Sequence, residues 1–282
     1  MLLFLQQWRA EWLKLLARKR TYLGFAVFVG LELLVLAFLH RDGMERFLER
    51  LISQQGGLFD YYFSATTLGF WVLWMSVFLL GALYLCLVGG DIVAKETEDG
   101  HLRLLLARPI SRLRLLLVKY LTVTGYSILL VGFITLTAWL LGLMLQGWGG
   151  GLFAWAPEQG VSALINEEDS YVRYAMGGLA LSLAMTTAAS LAFFLSCLPI
   201  KPAAATIGAL SYLLVDMILR MNHVLDDCAW LSLTGHMVQW VYVFTDPLEW
   251  APLARAGAVL AAVNATLFTA GWLIFEGRDL KS

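Results

Sequence analysis

The sequence predicts an all-α polytopic membrane protein with about six transmembrane helices. Three observations lead there. Hydrophobic residues make up 60% of the 282-residue chain and charged ones 15%, too little polar surface to cover a soluble domain. Mean hydropathy is +0.72. Apolar stretches of about 20 residues, the length of a bilayer crossing, recur along the chain.

Residues 1–20 read as an amphipathic helix in the membrane interface. Leu5, Trp8, Trp12 and Leu15 share one helical face, expected toward lipid, and Gln7, Glu11, Lys14 and Arg18 another, expected toward headgroups. Met1 to Phe4 carries no basic charge and no cleavage motif follows, so a cleavable signal is not expected. The expected spans are 22–39, 68–90, 115–145, 174–198, 203–221 and 253–275. The third is long enough to tilt or to project from the bilayer. Small residues recur four apart at Ala184, Ala188 and Ala192, at Ala204 and Gly208, and at Gly257, Ala261 and Ala265. Such stripes allow close helix approach in lipid, inside one bundle or between two copies.

Sidedness follows from Lys and Arg. Arg9, Lys14, Arg18, Lys19 and Arg20 precede the first span, and Lys95, Arg103, Arg108, Arg112, Arg114 and Lys119 follow the second. Lys201, Arg278 and Lys281 fall on the same side, while the other carries Arg41, Arg46, Arg50, Arg173 and Arg255 against a larger acidic set that includes Glu167, Glu168, Asp169, Asp226, Asp227, Asp246 and Glu249. Both termini are therefore expected in the cytoplasm, with the chain in the inner or plasma membrane. A net charge of −1 and the absence of a basic stripe give no reason to expect nucleic acid. The cysteines, Cys86, Cys197 and Cys228, form no C-x-x-C pair, so no disulfide framework or metal site is expected.

The informative segment is the loop at 91–112. It reads as a helix leaving the membrane, ended at Gly100, then a short helix over 101–108 stopped by Pro109. Ser111 is the expected N-cap of the third span. Leu102, Leu105 and Leu106 share a face of the short helix, away from Arg103 and Arg108. With Glu96, Glu98 and Asp99 before it and Arg112 after, the segment suits docking on a cytoplasmic partner. The alternative is a solvated charged loop near anionic lipid.

Glu96, Glu98, Gly100, Leu102, Leu105, Leu106, Pro109, Ser111, Arg112 and Lys119 together resemble the signature loop of the ATP-binding-cassette type-2 permease family. His101 departs from the Thr usual there. Near the end, Phe275, Arg278 and Asp279 resemble the Phe-x-x-Arg-Asp ending common in that family. The resemblance implies the permease subunit of an exporter, with a coupling helix in the loop seated in a separate ATPase. It implies two permease copies and two ATPase copies, with ATP and Mg on the ATPase and no cofactor on this chain. The chain carries no G-x-x-x-x-G-K-[ST] loop of its own, and no catalytic residue is expected.

Three ionisable residues fall inside expected spans: Glu32 on the first, and Asp216 and Arg220 one turn apart on the fifth. They read either as translocation-path contacts or as an internal Asp216–Arg220 pair with Glu32 bonded to a neighbouring helix. In the expected external loop at 222–252, His223, Asp226, Asp227, Cys228 and His236 match no defined metal site. The aromatic residues Trp230, Trp240, Tyr242, Phe244 and Trp250 suggest a segment dipping back into the outer interface. Two other classes remain. An ion-coupled carrier would need broken helices and an internal repeat, and an intramembrane lipid-modifying enzyme would need a further pair of Asp on the next helix.

Overall fold

Long apolar helices dominate the computed structural model, which describes residues 2–100, 110–222, 224 and 226–278. Helix α1 (Leu2–Leu16) leads through a tight bend into α2 (Lys19–Leu39). The polar helix α3 (Asp42–Gln54) and the single turn α4 (Phe59–Tyr62) follow. Helices α5 (Ala65–Ser76) and α6 (Ala82–Glu98) form one continuous helical run through a π turn at Val77–Gly81. Beyond the loop come α7 (Arg112–Gln146), α8 (Glu167–Ser196), α9 (Pro202–Met221), the short α10 (Leu233–Val238) and α11 (Trp250–Gly277).

Among the described residues five helices, α2, α7, α8, α9 and α11, are long and apolar enough to cross a membrane. They coincide with five of the six expected spans. The expected span at 68–90 is divided by the π turn between α5, of 12 residues, and α6, of 17. Helix α7 runs 35 residues, about 52 Å at 1.5 Å per residue, well beyond a hydrocarbon core of about 30 Å.

Helix α8 is the hub. Its apolar window is 72% buried, against 28% or less for the other four. Small residues explain this: Ala184, Ala188 and Ala192 let α6 approach so closely that a Cβ on Gly89 would lie 2.6 Å from the Ala189 carbonyl oxygen. The other two stripes are not buried, since Ala204, Gly208, Gly257, Ala261 and Ala265 are all exposed.

The helical expectation needs one addition. Leu152–Ala156 and Val161–Ile165 pair as an antiparallel hairpin, here β1 and β2, with Phe153 opposite Leu164. Phe153 donates its backbone N–H to Thr67 Oγ1 at 2.8 Å, seating the hairpin on the start of α5. The physical cause is a pair of short apolar runs flanking Pro157 and Gly160, the latter in the left-handed region at φ 68°. The aromatic segment before α11 also folds inward. Trp240, Val243 and Phe244 are buried, and Arg173 on α8 donates to the Val243 carbonyl at 2.9 Å. Trp230 and Trp250 are exposed, so the expected aromatic set divides between core and surface.

Candidate functional site

The emergence of α6 builds the site. Asp91 pairs with Arg20 at the start of α2. One turn on, Lys95 reaches Glu98 at 3.7 Å and Asp99 at 3.6 Å on the exposed side. Asp99 donates its N–H to the Lys95 carbonyl, and Gly100, at φ 73°, closes the helix as its sequence context predicts.

Glu96 turns the other way, into a buried charge cluster. Its carboxylate lies 2.7 Å from Lys119 Nζ on α7 and 3.5 Å from Lys14 Nζ on α1. Glu11 on α1 completes the cluster, 3.3 Å from Lys119 and 2.7 Å from Lys14. Lys119 also donates to the Ile92 carbonyl at 3.2 Å. Two carboxylates and two ammonium groups thus neutralise one another where α1, α6 and α7 meet. Pairing of this kind offsets the cost of taking the charges out of water.

The cluster corrects the expected orientation of α1. Glu11 and Leu15 are buried, and Trp12 packs over Gly125 of α7. Leu3, Leu5 and Leu13 are exposed. Part of the polar face therefore meets protein rather than headgroups, because Lys119 supplies a buried charge that only an acid can satisfy. Burial pushes the Glu11 carboxyl up, but Lys119 and Lys14 more than offset it, leaving its pKa below the ordinary value. Burial likewise lowers Lys14, and Glu11 and then Glu96 overcome it, leaving its pKa raised.

Across the loop, Ser111 caps α7, its Oγ accepting from the Arg114 N–H at 3.4 Å. Arg112 Nη1 donates to three carbonyls at the end of α11: Phe275 at 3.0 Å, Glu276 at 2.9 Å and Arg278 at 2.8 Å. Arg278 in turn donates to the Leu198 carbonyl after α8, at 3.2 Å. A cation on the last carbonyls of a helix complements both its orphan acceptors and its dipole. The two segments singled out in the sequence, loop and tail, are therefore in direct contact. Leu102, Arg103, Leu105, Leu106 and Pro109, and with them the expected short helix, lie outside the described residues, as does Asp279.

The ionisable residues inside the helices do not gather into one site. Glu32 on α2 is fully buried and accepts from Thr137 Oγ1 on α7 at 2.7 Å, a bond to a neighbouring helix. Asp216 and Arg220 do not pair, which corrects one expected arrangement. Asp216 instead accepts from the Thr234 N–H at 2.7 Å and the Ser232 hydroxyl at 3.1 Å, holding the start of α10. Arg220 reaches Glu158 in the hairpin turn at 3.4 Å. The reason is the inward fold of α10, whose free N–H groups compete for the carboxylate. His223 and the side chains of Asp226, Asp227 and Cys228 lie outside the described residues.

The charge cluster escaped sequence reasoning because its members are far apart in the chain. One signal was present: Lys119 sits two turns inside an apolar helix, and such a lysine requires an acidic partner.

Helices of this length and hydropathy define a membrane-embedded helical protein. Residues 47–233 match the family described as "Protein of unknown function (DUF2705)", and the chain belongs to that family. It is also similar to "Uncharacterized protein YhcI" of Bacillus subtilis (strain 168), 38% identical over 72 residues. That match covers 26% of this chain and 23% of the relative, so the chain matches less than a quarter of the relative's length.

Proposed function

We propose that this chain is the membrane permease of an ATP-driven exporter, coupled through the loop at 91–112 to a separate ATPase that carries ATP and Mg. On this reading α5 and α6 together supply the sixth crossing, and α1 lies along the cytoplasmic interface of the inner or plasma membrane. A second permease copy completes the translocation path, and the exposed small stripe at Ala204 and Gly208 suits close approach of another helix. The chain itself carries out no catalysis.

The observation that supports the reading most is mechanical. The loop is clamped at both ends, by Glu96 to α1 and α7 and by Arg112 to the end of α11. A push on it is therefore transmitted to several helices at once, as a coupling element requires. Glu98 and Asp99 remain half-exposed beside Lys95 and are the groups offered to a partner. Glu96 is a positioning residue, not a docking one.

Purification in mild detergent tests this. A Walker-type ATPase is expected to accompany the wild-type chain, and the charge reversal Glu98→Lys with Asp99→Lys is expected to lose it without lowering the unfolding temperature. If the wild-type chain recovers no ATPase and transport in sealed vesicles follows an ion gradient, the coupling assignment fails. One observation favours that carrier alternative: Glu32 Oε2 is buried with no hydrogen-bond partner among the described residues. In that case Glu32→Gln abolishes ion-driven transport.

A further inference from the structure

We infer that a cavity between α8, α11 and the inward-folded aromatic segment binds an apolar molecule carrying a hydroxyl or amine donor, taken up from the bilayer. The cavity measures about 400 Å³, within the range of small-molecule sites. Its walls are apolar, formed by Leu179 and Leu183 on α8, Leu260 and Ala261 on α11, and Trp240. On α11 the lining residues run from Trp250 to Asn264 along one face, about 21 Å at 1.5 Å per residue. The small stripe on that helix explains why space exists. No atom lies within 4 Å of where a Cβ on Gly257 would sit.

Thr186, His236 and Asn264 line this apolar space; the Thr186 hydroxyl is satisfied by the Leu183 carbonyl and Asn264, and the other two each leave an acceptor. His236 is 8% exposed, and its Nε2 lies 3.1 Å from the Trp230 carbonyl. A carbonyl can only accept, so Nε2 carries the proton, and in the neutral ring Nδ1 is left as an acceptor. Asn264 donates its Nδ2 to Thr186 Oγ1 at 3.1 Å, leaving Oδ1 as the second acceptor. Both His236 Nδ1 and Asn264 Oδ1 are buried with no hydrogen-bond partner among the described residues. An alkane would leave them unsatisfied, and a carboxylate would repel them. A ligand with an apolar body and an O–H or N–H satisfies both requirements. This inference stands independently of the transporter reading.

Photolabelling of the full chain in phosphatidylcholine nanodiscs tests it, with a diazirine-bearing 1-octanol against a diazirine-bearing octane. The alcohol is expected to label peptides containing 176–186 and 250–264 about fivefold more than the alkane, the measure of one hydrogen bond. Ala261→Phe fills the cavity and is expected to abolish that labelling at an unchanged unfolding temperature. Asn264→Leu is expected to bring the alcohol down to the alkane level. Repeating the experiment with phosphatidylglycerol identifies the source: competition by that lipid assigns the site to a lipid hydroxyl, and its absence to a free amphiphile. Equal labelling by alcohol and alkane, or labelling indifferent to Ala261→Phe, overturns the proposal.

Discussion

Lys119 places its ammonium 2.7 Å from the Glu96 carboxylate with its own side chain wholly shielded from solvent. A lysine is tolerated there only because Glu96 and Glu11 face it, and the pair ties α6 and α1 to α7. Lys119→Met leaves the two carboxylates in a buried site with only the half-exposed Lys14 between them. The expected cost is roughly 3–5 kcal/mol, the usual penalty for breaking a buried pair from one side. Thermal unfolding in detergent measures it, and adding Glu96→Gln is expected to recover part of the loss by removing one stranded charge.

Arg112 makes a separate prediction at the other end of the loop. Arg112→Lys keeps the charge but its shorter side chain withdraws the Nη1 group that donates to all three carbonyls. Hydrogen exchange at the Arg278 amide, which donates to the Phe275 carbonyl, is expected to quicken about tenfold, the equivalent of one charge-assisted bond. Unchanged exchange would show that α11 ends there without help from the loop.

The docking of α1 carries a pH window. Glu11 has a depressed pKa, so its contribution is present above the ordinary carboxylate value and is lost as pH falls through the lower folded value. Lys14 has a raised pKa, so its contribution is present below the ordinary lysine value and is lost as pH rises through the higher folded one. Spin labels at the exposed positions Leu13 and Leu121 are therefore expected to give one narrow distance from about pH 5 to about pH 9. The distribution is expected to broaden below about pH 4. Broadening near neutrality would contradict the cluster.

The close crossing of α6 and α8 predicts opposite outcomes for two glycines. Gly89→Ala brings a Cβ to 2.6 Å from a backbone carbonyl that cannot easily move, and overpacking of this kind costs about 1–3 kcal/mol. Gly30→Ala on α2 meets no atom within 4 Å and is expected to stabilise by about 0.5–1 kcal/mol through helix propensity. Unfolding midpoints of the two variants check the pair.

Much of this architecture was legible because lipid imposes a simple rule: long apolar runs become helices, and five of the six expected did so as single pieces. Gly100 and Ser111 were legible for local reasons, since a left-handed C-terminus and an N-cap depend on the residue itself. The partners of Lys119, Asp216 and Arg220 were not. Asp216 and Arg220 are four apart and suggest each other, but tertiary packing brought stronger partners from Thr234 and from Glu158. The hairpin at 152–165 was missed because its strands are only 5 residues each, too short for periodicity to separate from loop.

The most direct test of the central claim is photo-crosslinking from positions 98 and 99 in native membranes. A photoreactive residue at either is expected to capture a cytoplasmic nucleotide-binding protein, with a yield that changes when ATP is added. Capture of lipid alone, or labelling from the extracytoplasmic side, would contradict the account.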